Sequence, residues 1–543
     1  MLKQPRTIVA ALLASTMLVA PLYAGAMHPV TGEELAADQT FTYRVLDEHS
    51  SVDPQVVEDV SGSDIVRDLF EGLMNQAADG SLEPGVALGY TANDAKDVYT
   101  FNLRHDAKWS NGEPVTANDF VYAWRRAVDP ELASPYSWFM ELMSIENASE
   151  ILAGDMPIDQ LGVRAVDDYT FEVKLTAALP YFAQMTTHAT TFPVPQAVVE
   201  EFGTDWTKPE HIVSNGAYVL TEHLPNERSV RERNTMYWNN DATILDKVVA
   251  LVINDENVAL TRYLAGELDR TEIPTGQYPR LSQEYPDQTT VFPRLCSYYY
   301  DVNLSDTGNP ALQDVRVRQA LSLAIDRDII TQNVTASGQF PAYTFTPEAT
   351  ADFSVPDTEM SSMSQAERDD KARALLAEAG YGPGGDALDV EVIYNTSEGH
   401  KKIAIAISQM WKQKLGVTVE LANQEWKTFL DTRGNQNYQV ARAGWCGDYN
   451  EASTFLDLVD SDSAYNDSAY SNAEVDGLLE AAKTSADPTD LYTQVEQIIA
   501  RDVPIIPIYH YTSAFMMDTD LKNWPVGNVE QNWYSRNLYK TPE

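Results

Sequence analysis

The sequence predicts an α/β fold assembled from several structural units, and three observations carry that prediction. Between residues 364 and 421, helical and strand periodicities alternate twice. An earlier stretch places strand-like runs at 98–103 and 170–175 around a helical segment at 117–127. The chain is also long, and its 543 residues with 44% hydrophobic content suffice for about three cores of roughly 150 residues each.

Each element has a local cause. Thr116 or Asn118 can cap the helix at 117–127. Ser364 and Glu367 have capping-box spacing; ARALLAEA then carries an apolar face, and Gly380 stops it. Residues 388–394 (LDVEVIY) alternate as a strand does, 400–415 read as a helix, Gly416 breaks it, and 417–421 (VTVEL) alternate again. Helix-strand-helix-strand order implies a parallel sheet. No repeat of 20–50 residues is visible, which argues against a solenoid or propeller.

Charge excludes whole classes of partner. With 81 acidic and 38 basic residues, the formal net charge is -43. Nucleic-acid backbones need Lys and Arg to displace counterions, so no nucleic acid is expected as a partner; an anionic membrane surface is disfavoured for the same reason. The N-terminus reads as an export signal over residues 1–26: Lys3 and Arg6, an apolar run at 8–20 too short to span a bilayer, Pro21, and a small-residue cleavage site at Ala24-Gly25-Ala26. Two cysteines, Cys296 and Cys446, either form one bridge in an oxidising compartment or remain two buried thiols.

Catalytic signatures are missing: no GxSxG, HExxH, P-loop or dinucleotide fingerprint occurs. Histidines number eight and are scattered, so neither a metal site nor a cofactor is expected. A secreted hydrolase would need a nucleophile–base pair or metal ligands, and the sequence supplies neither. What stands out is aromatic residues beside isolated charges. Residues 424–450 hold Trp426, Arg433, Arg442, Trp445, Asp448 and Tyr449, and 294–301 read RLCSYYYD. Rings line clefts at low entropic cost while a few charges orient a ligand. Tyr298 and Tyr300, on one strand face, are expected in the core. Gly444 and Gly447 suit a tight loop approaching a ligand.

The runs IVRDLFEGLM (65–74), LRHDAKWSNGEPVTANDFVYAWRR (103–126), IVSNGAYVL (212–220), DVRVRQALSLAIDRDII (314–330), YNTSEGHKKIAIAI (394–407) and ARAGWCGDYNE (441–451) together resemble the periplasmic oligopeptide-binding proteins of ABC importers, family 5 of the solute-binding proteins. The resemblance implies a two-lobed α/β clamshell with an extra α/β domain on lobe one. Lobe one would take residues 27–70, 196–295 and 512–543, the extra domain 71–195, and lobe two 296–511, with hinges where the chain crosses. It implies a periplasmic monomer that captures an oligopeptide and hands it to membrane permease subunits; a cell-wall muropeptide is the alternative ligand.

A protein that accepts many peptide sequences must grip the ammonium, the carboxylate and the backbone. Asp448 is expected to pair with the ammonium. By resemblance, ligand backbone would add as a strand near Glu58 to Val60 and Gly444 to Cys446. Trp426 and Trp445 would wall side-chain pockets. Tyr136, Tyr299 and Tyr511 match family tyrosines, and Arg442, Arg433 and His400 match positions that meet the ligand's C-terminus. Cys296 and Cys446 match the family disulfide. Departures are Arg294, where the family has an aromatic; Asp301 in place of the usual Glu; Thr335 for a lysine; Gly434 for a histidine; and a segment at 268–277 without the expected asparagines.

Overall fold

The computed structural model describes residues 26–485 and 487–542. The expected export segment, Ala26 apart, lies outside the described residues. Among those described, no helix is long and apolar enough to cross a membrane.

Strand β1 (Thr40–Val45) leads to helix α1 (Val60–Leu69). Four strands then build a small antiparallel sheet: β2 (Ala87–Ala92), β3 (Val98–Leu103), β4 (Val163–Asp167) and β5 (Thr170–Lys174), in the order β2-β3-β5-β4. Helix α2 (Ala117–Ala127) packs on it. The chain continues through β6 (Tyr218–Leu224), β7 (Arg228–Arg233), β8 (Lys247–Val252), β9 (Arg270–Glu272) and β10 (Thr289–Val302). Helices α3 (Gln365–Glu378), α4 (Glu398–Leu415) and α5 (Trp426–Gly434) are interleaved with β11 (Asp389–Asn395), β12 (Thr418–Gln424) and β13 (Val440–Cys446), and β14 (Ile505–Met517) closes the series.

One eleven-stranded sheet runs through the molecule, with ten strands in the order β12-β11-β13-β10-β14-β9-β1-β8-β7-β6. Its spine is the antiparallel pair β10 and β14. Residues Thr289 to Pro293 pair with Met516 to Thr512, and Ser297 to Asp301 pair with His510 to Ile505, with a shift of register between Pro293 and Ser297. On one side of the shift β14 meets β9; on the other β10 meets β13. The sheet therefore has two halves, one per lobe, joined by two adjacent strands. The small four-stranded sheet with α2 is separate from this large sheet.

Local signals in the sequence are realised as hydrogen bonds. Asp119 accepts from the Thr116 N–H (2.7 Å) and hydroxyl (3.0 Å) at the start of α2. The Ser364 N–H donates to Glu367 (2.8 Å) and the Glu367 N–H donates back to the Ser364 hydroxyl (3.4 Å). Helix α4 begins at Glu398, two residues before the expected start, because the Ser397 hydroxyl accepts from the His400 N–H. Gly416 ends it at φ 74°, a backbone shape that favours glycine. Strands β11 and β12 are parallel, and so are β11 and β13. The sheet as a whole is mixed, however, because β10 arrives antiparallel from a distant segment. Tyr298 and Tyr300 are fully buried in the second-lobe core.

Candidate functional site

A cavity of about 490 Å³ lies between the lobes, inside the ~300–1,000 Å³ range of small-ligand sites. Glu58, Val60, Tyr136, His400, Trp426, Arg433, Arg442, Gly444, Trp445, Cys446, Asp448 and Tyr511 all line it. Tyr299 and Asp301 do not. Neighbours cover both: Tyr299 packs edge-on against Phe345 (4.8 Å), and Asp301 is buried near Arg433 and Asp467.

The residues gather because strand ends and helix starts meet at the cleft. Glu58 and Asp59 precede α1, where Asp59 accepts from the Gly62 N–H (2.6 Å) as N-cap. Trp426 opens α5, and its indole N–H donates to Asp59 across the cleft (3.3 Å). The Tyr465 hydroxyl donates to Glu58 (3.0 Å) and the Asn395 amide to Asp47 (3.3 Å), again between lobes.

Gly444, Trp445 and Cys446 form the end of β13 rather than the tight loop expected from the flanking glycines. Gly444 leaves little room for a side chain: a Cβ there would meet Arg442 Nη2 at 3.0 Å and the Tyr511 hydroxyl at 3.3 Å. Cys446 is bonded to Cys296 across the β10–β13 ladder, with Cα atoms 4.0 Å apart. The Gly447 N–H donates to the Leu295 carbonyl (2.9 Å), which marks Cys296 and Cys446 as a non-hydrogen-bonded pair. By alternation, Gly444 and Cys446 point their N–H and C=O groups at the other edge of β13. On that edge β11 pairs only with Val440 and Ala441. Beyond Ala441, then, β13 presents an open hydrogen-bonding edge to the cavity.

At the end of this edge stands Asp448, its side chain only 8% exposed. The Tyr136 hydroxyl lies 3.4 Å from Oδ1, and Oδ2 is buried without a partner. His188 Nε2 is 3.5 Å away, but burial drives the His188 imidazole down to about 3, so it is neutral and brings no charge. Burial pushes the Asp448 carboxyl up to about 8. An ionised Asp448 here is a carboxylate in search of a cation. Tyr136, Trp445 and Tyr465 wall the spot, with Tyr136 and Trp445 parallel at 6.4 Å and Trp445 and Tyr465 at 5.3 Å.

The cationic residues are not equivalent. Arg442 donates to the Tyr511 hydroxyl (2.7 Å) and to Asn395 (3.4 Å) and lies over the Tyr298 ring (4.8 Å). Among the described residues no carboxylate pairs with it. Arg433 is already bound to Asp467 (2.6 Å). His400 is held neutral by burial and by nearby Arg442. Sequence reasoning missed His188, Tyr465, Arg44, Arg67, Arg270 and the C-terminal segment at 530–533, all of which line the cavity; Arg294 and Thr335, which line it too, carried a signal as departures. It also missed that His49 and His223 share Glu48 (3.1 and 2.7 Å), a hydrogen-bonded cluster that joins two distant segments.

Comparison with known proteins settles the family. The model of bacterial extracellular solute-binding proteins, family 5 middle, matches residues 81–467. The chain belongs to family 5 of the extracellular solute-binding proteins. This family 5 chain is 44% identical to the periplasmic oligopeptide-binding protein OppA of Escherichia coli over 98% of both chains. It superposes on the murein tripeptide-binding protein MppA of Escherichia coli with TM-score 0.91 at 44% identity, covering 94% of this chain and 100% of that one. OppA of Haemophilus influenzae in complex with RPPGFSPFR gives TM-score 0.90 at 38% identity, covering 94% and 100%. Against the unliganded open form of MppA the TM-score is 0.67 at 43% identity, covering 94% and 99%. Comparable identity with so different an overlap means the lobes differ in arrangement; here they are closed.

Proposed function

We propose that this chain is a periplasmic binding protein that captures oligopeptides between its lobes and delivers them to the permease of an ABC importer. The observation that carries the reading is a buried carboxylate, Asp448, without a cationic partner among the described residues, at the end of an open strand edge. A peptide is the complement of that pair: an ammonium on an extended backbone. Asp448 takes the ammonium, the β13 edge takes the backbone, and Arg442 takes the carboxylate of a short ligand. Trp426, Trp445 and Tyr136 enclose side chains, and waters fill what they leave. Arg433 joins only when a longer ligand displaces Asp467. No catalytic group is required, since capture needs only contacts that exist in the closed state and not in the open one.

On this reading lobe one takes residues 27–70, 196–295 and 512–543, the extra domain 71–195, and lobe two 296–511. The change of register between Pro293 and Ser297 supports the hinge placement. A murein peptide is the second reading, favoured by the fit to MppA.

Calorimetry on the mature protein tests the proposal with free and N-acetylated alanine peptides. Free peptides should bind and acetylated ones should bind at least tenfold more weakly. Equal affinity for both would remove Asp448 from its role, and no affinity for either would remove peptides as the ligand. Mass spectrometry of the ligand carried through purification separates ordinary from murein peptides.

A further inference from the structure

On a chain of net charge -43, one wall of the cavity is rich in arginine. Arg44, Arg67, Arg270 and Arg294 line it, with Asp64 and Glu272 as the carboxylates that pair with them. The pairing is incomplete. Arg44 and Arg270 share Glu272, each at 3.1 Å, and Arg67 holds Asp64. Arg294 has no ion-pair partner and no side-chain hydrogen bond among the described residues, and its buried Nε is without an acceptor. Nε of Arg67, Nε of Arg270 and Nη2 of Arg44 are orphaned as well. None of the other carboxylates at the cavity forms an ion pair with Arg294 among the described residues. Asp59 caps α1, Glu256 accepts from the Thr275 N–H (2.8 Å), and Glu58, Asp47 and Glu530 accept from Tyr465, Asn395 and Gln76.

A free, planar guanidinium within a partly desolvated wall is a receptor for a carboxylate, which it grips through two parallel N–H bonds. Arg442 already serves a terminal carboxylate in the reading above. We infer that Arg294 makes this protein selective for acidic peptides, binding a second carboxylate carried by a ligand side chain. The inference rests on the peptide reading. It gives the ligand one ammonium, for Asp448, and two carboxylates, for Arg442 and Arg294. Arg270 is itself fixed between Phe515 and Trp524, 4.7 Å from each ring.

Calorimetry with tetrapeptides decides the matter. Tetra-alanine is compared with variants carrying Glu or Gln at position two, three or four. At one position Glu should bind at least tenfold more tightly than its neutral isostere Gln, an effect on the scale of a desolvated ion pair. In Arg294→Gln the ratio of Glu to Gln affinity should fall towards one, and in Arg294→Lys it should be intermediate, since a point charge cannot make the paired bonds. A wild-type ratio near one at all three positions would overturn the inference without any variant. So would a ratio in folded Arg294→Gln equal to that of the wild type. Binding of tetra-alanine with no preference for Glu leaves the peptide reading standing and removes only Arg294's role; failure of every tetrapeptide to bind removes both.

Discussion

Asp448 concentrates the electrostatics of the cleft in one side chain. Its neighbours Tyr136 and His188 are polar but uncharged, so they orient the carboxylate without neutralising it. Removing one partner of a buried, hydrogen-bonded charge pair costs about 2–5 kcal/mol. Asp448→Asn keeps the shape and loses the charge. We expect it to weaken binding of free-amino peptides by roughly 30-fold or more, while N-acetylated peptides bind wild type and variant alike; calorimetry on both series reads this directly. At this scale the sequence was legible where a residue type has one plausible task. Asp448 beside Trp445 in a GWCGDY run was such a case, and the structure brings it into the cavity. Tyr299 and Asp301 were assigned from position within a motif, and packing against Phe345 and beside Arg433 covers them. The arginine wall was illegible, because Arg44, Arg67, Arg270 and Arg294 come from four separate elements and touch only after the sheet has formed.

Among the elements, β13 matters most, because its first half is paired on both sides and its second half on one. An unpaired edge is ordinarily an aggregation liability; here it faces the cavity. A ligand strand laid along Gly444 to Cys446 gains backbone hydrogen bonds worth about 0.5–1.5 kcal/mol each. N-methylation of a single ligand amide removes a donor, and calorimetry should show a loss of roughly threefold to tenfold at the amides facing Gly444 and Cys446. Uniform affinity across a complete N-methyl scan would contradict the strand-addition geometry. Helix caps at Thr116 and Ser364 and the parallel pair β11–β12 were readable from local sequence, since each is fixed by neighbours along the chain. The antiparallel ladder β10–β13 was not, because its partners are more than a hundred residues apart and nothing local selects them.

For the whole molecule, closure buries several carboxyl groups at once. Burial pushes Asp448 up to about 8, Glu530 to about 7 and Asp47 to about 6. Opening returns such groups towards water, where a carboxyl ordinarily titrates near 4. The closed state thus binds more protons than the open one between about pH 4 and 8. Raised values favour the closed form at low pH, and that advantage is lost progressively as pH rises through 6 to 8. Ligand-free protein should therefore have a smaller radius of gyration by small-angle scattering at pH 5 than at pH 9. Asp448→Asn should shrink the difference, and a radius independent of pH would refute the linkage.

The pairing of β10 with β14 has one more effect. Both connections between the lobes lie side by side in one ladder, so the jaws swing about a single axis and have a single shut position. Cargo of any composition that permits shutting leaves the outside of the molecule the same. A receiver at the membrane needs to know one silhouette, not an inventory of freight.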